Sequence, residues 1–310
     1  MTESTNRNGC SHNGVVHVFV ALLLWGILPL YWKMLGGILP LHIIANRIIW
    51  SLVFVLILLL FKGRIKEFFV AMVNHKDKYI IFFSGLIISF NWFTYIYAVN
   101  SDHIVEASLG YFINPLLTIL MARIVLKEKL RYLQVVALVL ATLGVAIITF
   151  GYGKIPFIAL ILAFTFSTYS LLKKTIKIDV VLGLSMETAA VFPIALGYLI
   201  HVSLQGGFVA GISVLEVLLI IGTGVVTAVP LMLFSYGAQR VQLTTLGFIQ
   251  YLAPTISLFI GVILYKEPFT KMHLITFGLI WIALMVYSYS QFKEYSKYSS
   301  LKQKKVEMNK

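Results

Sequence analysis

EASLGYFINPLLTILMARIVLKE (Glu106–Glu128) occurs twice in this chain in altered form. The second copy is TLGFIQYLAPTISLFIGVILYKE (Thr245–Glu267). A shift of 139 residues without a gap sets Tyr97 on Tyr236, Pro115 on Pro254, Lys127 on Lys266 and Glu128 on Glu267. Each copy holds an apolar run of roughly 20 residues, long enough to cross a bilayer as a helix. Each carries a proline inside the run and a Lys-Glu pair at its end. A proline within a helix removes one backbone donor and frees the carbonyl four residues earlier. Those carbonyls belong to Tyr111 and Gln250, which occupy equivalent positions. In hydrocarbon a freed carbonyl must be satisfied by protein or trapped water. Two equivalent helix interruptions therefore predict a polar site between two halves of the molecule.

Working outward, the composition excludes an ordinary soluble domain. Of the 310 residues 59% are hydrophobic and 12% charged, with mean hydropathy +0.91. Soluble domains carry about twice that charged fraction. The first 14 residues are polar, and the apolar run behind them is full length without a small-residue cleavage site, so no cleavable signal peptide is expected. Cys10 is the single cysteine, so no internal disulfide can form. The formal charge of +13 could suggest nucleic acid. The basic residues sit instead in short loops and the C-terminal tail, where membrane proteins use them to fix orientation.

Ten apolar segments can be drawn, near 15–35, 41–61, 79–99, 104–125, 132–150, 155–172, 180–201, 214–236, 244–265 and 270–290. An even number places both termini on one side. With that side cytoplasmic, 20 Lys and Arg fall inside, Lys173, Lys174 and Lys177 among them, against 4 outside: Lys33, Lys154, Lys266 and Lys271. This asymmetry predicts a cell (inner) membrane protein with cytoplasmic termini. Pro40, Pro156 and Pro268 stand at helix starts, where the missing donor is harmless. Pro29, Pro115, Pro193, Pro230 and Pro254 fall within segments and are expected to kink them.

The repeat reaches further than the quoted pair. VALLLWGILPLY (Val20–Tyr31) aligns with IALILAFTFSTY (Ile158–Tyr169). Segments 1–5 thus correspond to 6–10, and because five is odd the second set inserts upside down. The expected fold is an all-α membrane protein of ten transmembrane helices in two inverted five-helix repeats. A polar N-terminal tail (1–14) precedes the first repeat (15–150); the second repeat (155–290) precedes a basic C-terminal tail (291–310), expected to lie against anionic lipid. Inverted repeats suit alternating access, since exchanging the conformations of the halves turns the open side over.

These stretches resemble a known family. VEASLGYFINP (Val105–Pro115), TLGFIQYLAP (Thr245–Pro254), NWFTYIYAVN (Asn91–Asn100) and HIIANRIIWS (His42–Ser51) are similar to the RarD-like branch of the EamA-type drug/metabolite transporter superfamily. The resemblance covers nearly all of residues 15–290. It implies a ten-helix basket around a central cavity and transport, more often export, of small organic solutes such as metabolites or chloramphenicol-like drugs.

Charges inside spans are the sharpest functional signals, because lipid penalises each unless it is paired or wet. Arg47 and Glu187 lie in corresponding segments, and the repeat offset sets Arg47 opposite Met186. Two readings stand: an ion pair of Arg47 with Glu187 or Glu106 that fixes helix positions, or a role in the substrate path. Arg47 would suit a carboxylate through its planar donors. Glu106 shares a helix face with Gly110 and Asn114, and it and Glu187 are the candidates for proton coupling or contact with a substrate amine. Glu106 also reads as a helix N-terminal carboxylate favoured by the macrodipole. Asn91, Trp92, Tyr95, Tyr111, Asn114, Gln250 and Tyr251 mix amides with aromatics within spans, as an amphipathic solute would require; taken one at a time, interhelical packing is the favoured explanation, and the equivalent placement of Tyr111 and Gln250 beside the proline breaks shifts those two towards function. The favoured substrate contacts are Arg47, Asn91, Trp92, Tyr111, Asn114 and Gln250. The Lys-Glu pairs are expected to cap helix ends and pair locally.

The scattered histidines lack metal-ligand spacing and no P-loop is present, so neither a metal nor another cofactor is expected. The expected partners are a small-molecule substrate and the bilayer, without nucleic acid, the chain being a monomer or weak dimer. An uncoupled facilitator, an integral-membrane enzyme and a non-transporting scaffold or sensor are the rival classes. No catalytic cluster supports the enzyme.

Overall fold

The computed structural model describes residues 12–101, 103–151, 153, 155–205, 213–266 and 271–308, the side chains of 12, 99–100, 104–106 and 294–308 excepted. The first half contains α1 (His12–Met34), α2 (Pro40–Phe61), α3 (Ile65–Asn74), α4 (Lys78–Asn100), α5 (Ile104–Ile124) and α6 (Tyr132–Gly151). The second contains α7 (Phe157–Thr175), α8 (Val180–Leu204), α9 (Val214–Ala238), α10 (Leu243–Ile249), α11 (Leu252–Phe259) and α12 (Lys271–Met308). A π-helical turn, Ile260–Leu264, comes directly after α11. With Leu243–Leu264 counted as one span, ten segments of the described residues are long and apolar enough to cross a membrane. At about 1.5 Å per residue, 20 residues cover the roughly 30 Å hydrocarbon core.

Packing carries the two-fold relation that the sequence repeat predicts. α1 packs on α9, as its counterpart α7 packs on α4. α2 packs on α9, as α8 packs on α4, and α5 lies along α7, as α11 lies along α1. The pairs α2 with α8, α5 with α10 and α6 with α12 meet their own counterparts and so straddle the axis. The halves interlace rather than sit side by side. Lipid gives helices little hydrophobic reason to associate, so close packing of small residues must do it. Ala21, Ala137, Ala141, Ala159 and Ala163 are all fully buried at these contacts. The tightest approaches to another helix's backbone also obey the 139-residue shift: a Cβ on Gly85 would lie 2.4 Å from the Glu187 carbonyl oxygen, and one on Gly224 would lie 2.4 Å from Trp50 backbone.

Several expectations need correction. The stretch between the second and third spans is not only a loop. It forms α3, a short helix that buries Phe68 and Ala71 and leaves Phe69, Val70 and Val73 exposed. Arg64 anchors its start through Glu67 (2.8 Å) and Asp179 (3.4 Å), the N-cap of α8. The C-terminal tail is helical as far as Met308, continuing α12.

The interruptions are also unequal. α5 runs unbroken through Pro115, whereas its counterpart stops at Ile249 and restarts at Leu252. Pro254 therefore falls in a first turn, where its missing N–H removes no helical bond. The first Lys-Glu pair caps a helix end, as expected, but a distant one rather than its own. Lys127 and Lys266 take the left-handed backbone (φ 55° and 54°), rare for residues with a Cβ. Lys127 in this turn aims Glu128 across the repeat boundary. The Glu128 carboxylate accepts from the Leu243 and Thr244 N–H groups (2.8 and 2.9 Å) and caps α10. Glu267 lies outside the described residues.

Candidate functional site

Three polar groups are built into the helix bundle. The first surrounds Arg47, the eighth residue of α2 counted from Pro40. Its Nε donates to Thr227 Oγ1 on α9 at 3.0 Å. The guanidinium carbon lies 4.7 Å from the Trp32 ring of α1 and 4.4 Å from the Trp92 ring of α4. A cation against aromatic faces is held by their negative quadrupoles. Tyr95 of α4 and Tyr111 of α5 meet edge to face at 5.9 Å, within electrostatic reach of Arg47. Five helices from both halves thus converge on one cation.

Accessibility distinguishes this cage from packing. Tyr111 keeps 50% of its surface accessible and Tyr95 38%. Yet both stand by Arg47, which is held inside the bundle between α1, α4 and α9. Deep side chains with free surface line an internal vestibule. Ser108, one turn before Tyr111, is exposed on the same face.

The second group is sealed. Asn114 Nδ2 donates to Gln250 Oε1 (3.4 Å), and Gln250 Nε2 donates to Ser170 Oγ (3.1 Å). Ser167 Oγ donates to the Asn114 carbonyl (3.0 Å) and itself accepts from Thr118 (3.1 Å). These residues join α5, α7 and the break after α10. Gln250 is 3% exposed, with its amide donor and its acceptor both engaged. Its side chain fills the break at the end of α10, so the network stitches the interrupted helix to its unbroken counterpart.

The third group answers the question posed by Glu187. Glu187 is the eighth residue of α8, as Arg47 is of α2, but the two do not pair. Glu187 bonds Lys173 Nζ at 2.5 Å, with both side chains buried. It also accepts from Ser84 Oγ (2.5 Å) and from the Tyr169 hydroxyl (3.4 Å). Gly85 lets α4 approach α8 closely enough to bring Ser84 there. No carboxylate of the described residues lies on Arg47.

Of the favoured contacts, then, Arg47, Trp92 and Tyr111 come together in the vestibule. Asn114 and Gln250 meet each other in the sealed network. Asn91 is committed to tying α4 to α7, its Nδ2 donating to the Leu162 carbonyl (2.8 Å) and Thr165 Oγ1 (2.7 Å). The Glu106 side chain lies outside the described residues. Tyr251 is buried at the helix break. Trp32, Thr227 and Lys173 carry no sequence signal of their place here. Trp32 and Thr227 look like ordinary span residues, and Lys173 reads as a loop lysine because it stands at the end of an apolar segment.

Comparison with known proteins agrees with this architecture. A family model described as "EamA-like transporter family" matches residues 12–150 and again 153–289. The chain is 45% identical to the "Uncharacterized transporter YojE" of Bacillus subtilis, over 90% of this chain and 95% of that protein. It is 39% identical to the "Protein RarD" of Streptomyces exfoliatus, over 90% and 89% respectively. A solved crystal structure, 23% identical, superposes with a TM-score of 0.66 over 88% of this chain and 96% of its own, and so shares the fold.

Proposed function

The chain belongs to the EamA-like transporter family, in its RarD-like branch, and from that premise we propose that it carries a small organic solute by alternating access, binding it in the Arg47 vestibule. One observation carries this reading. Trp92, Tyr95 and Tyr111 are accessible within the bundle, whereas their repeat mates Leu231, Phe234 and Gln250 are 2%, 0% and 3% exposed. Related positions in the two halves therefore occupy unlike states. An inverted repeat that exchanges those states would close the vestibule and open its mirror image. With cytoplasmic termini, as the basic loops favour, the open side faces away from the cytoplasm.

The sealed side is held by Lys173–Glu187 and by the Asn114–Gln250 network, so opening it requires both to separate. Glu187 is the carboxylate that would couple protons. Lys173 supplies its counter-charge while the two are together, and separation is the step at which a proton would take the lysine's place. Coupling would thus be tied to the conformational step.

Thiol accessibility tests the reading. In a Cys10→Ser background, Tyr111→Cys in membrane vesicles should react with a membrane-impermeant maleimide. Gln250→Cys should resist it until a transported solute is added. Equal reactivity at both positions, or neither responding to solutes that exchange across the membrane, would sink the two-state account. Solute counterflow accompanied by a lumenal pH change, lost in Glu187→Gln, would establish coupling. Counterflow without a pH change would make the protein a facilitator.

A further inference from the structure

We infer that the Arg47 cage takes a flat-ringed organic anion bearing one negative charge, with its carboxylate on the guanidinium and its ring against Trp32, Trp92 and Tyr111. The inference names the substrate class of the vestibule. It rests on the transport reading only for the passage of the bound solute across the membrane, and stands without it for binding.

Four observations lead to it. Arg47 uses Nε on Thr227, and its η nitrogens have no partner among the described residues. An arginine has five N–H donors in a planar fork, so the edge that suits two carboxylate oxygens is left unused. Next, no acidic side chain among the described residues compensates the charge. The only ionisable groups of the described residues acting on it are the Tyr95 and Tyr111 hydroxyls, and an intramembrane cation without a counter-ion is costly. The Trp32 and Trp92 faces act as a stand-in counter-charge, which a ligand anion would replace.

The walls, further, are aromatic. Trp32, Trp92, Tyr95 and Tyr111 offer ring faces and edges, and rings prefer offset or edge contacts with other rings. Finally, the charge count is one. Lys33, the basic residue next to Trp32, is engaged elsewhere, its Nζ lying 3.6 Å from the centre of the Tyr265 ring. A phosphate monoester or dicarboxylate would bring a second negative charge with no second cation among the described residues of the cage to meet it. A neutral solute would leave Arg47 without an anion among the described residues.

The test uses the purified full-length protein and three probes: indole-3-acetate, its neutral isostere indole-3-acetamide, and cyclohexylacetate. Titration calorimetry should give indole-3-acetate at least about tenfold tighter binding than the amide, as one charge-assisted bond provides, and tighter binding than the saturated ring. Arg47→Gln should reduce the acetate to the amide's affinity. Arg47→Lys, which keeps the charge but loses the fork, should fall between. Equal binding of acetate and amide, no binding of either, or unchanged binding in Arg47→Gln overturns the inference. The wild-type comparison needs no variant to fold. Counterflow separates binding from transport. If the amide exchanges across vesicles and the acetate does not, transport stands and the anion class falls. If the acetate binds yet never exchanges, the class stands and transport falls.

Discussion

Arg47 and Glu187 are the two charges that the repeat puts at matching depth in opposite halves, and the protein treats them oppositely. Arg47 keeps a single hydrogen bond, aromatic neighbours and an accessible vestibule. Glu187 has a lysine, a serine and a tyrosine around it and is closed to solvent. The difference separates a charge kept for a ligand from a charge committed to holding helices. A buried ion needs its partner, and removing one member strands the other. An accessible ion has water, and later substrate, to fall back on.

Substitutions should expose that contrast most strongly. Lys173→Met leaves Glu187 buried without its cation and is expected to lower stability by about 3–5 kcal/mol. Lys173→Met combined with Glu187→Gln should recover much of the loss, because no stranded charge remains. Arg47→Met should lower stability by about 1 kcal/mol or less, while removing the preference for the anion over its neutral isostere. Thermal unfolding in detergent checks all three. A double variant as unstable as the sum of the singles, or an Arg47→Met loss as large as that of Lys173→Met, would erase the distinction between the two ends.

Backbone approach gives the next test. Gly85→Ala drives a methyl into the Glu187 carbonyl, and Gly224→Ala does the same at Trp50. Overpacking of this kind is expected to destabilise each by about 1–3 kcal/mol. Gly85→Ala should do more, since it also pushes Ser84 away from Glu187. Equal unfolding temperatures for the two would show that the ion-pair end is no more tightly specified than its mate.

The sequence is a good guide to the frame and a poor one to this contrast. Spans, inverted repeat, Pro115, Pro254 and the in-span Arg47 are all legible, because length, offset and charge in hydrocarbon leave few alternatives. The Gly85–Gly224 match obeys the same offset and signals both close crossings. The partner of Glu187 is not legible. Lys173 lies at a helix end, where a lysine normally points to water, yet the fold buries it against Glu187. The unequal breaks are also hidden. Pro115 and Pro254 present the same local chemistry, and it is the tertiary setting of Gln250, held by Asn114 and Ser170, that distinguishes them. Trp32 is an ordinary aromatic until packing sets it beside the guanidinium that Trp92 also faces.

A smaller effect links the halves through the Lys-Glu motif. Glu128 satisfies two N–H groups at the start of α10, and a lost cap typically costs about 1 kcal/mol and up to 2. Glu128→Ala should therefore lower the unfolding temperature modestly, with Glu128→Gln between it and wild type. Because α10 leads into the broken span, Glu128→Ala should also raise the thiol reactivity of Gln250→Cys. An unchanged reactivity would confine Glu128 to a purely local cap.

The smallest effect lies outside the membrane, where α3 meets α8. Arg64 hydrogen-bonds Glu67 with both nitrogens of one edge (2.9 and 2.8 Å) and holds that carboxyl below its usual range. A carboxyl with a depressed folded value contributes stability above its unfolded pKa and loses it as pH falls through the folded one. The unfolding temperature of wild type should therefore drop more between pH 6 and about pH 3 than that of Glu67→Gln. Glu67 is exposed and salt screens it, so the gap should shrink at about 1 M salt. Buried Lys173–Glu187 should keep its contribution at the same salt. Equal salt sensitivity of Lys173→Met and Glu67→Gln, each against wild type, would mean that Glu187 is wetter than its packing implies, and the two ends of the molecule would then differ in partner alone.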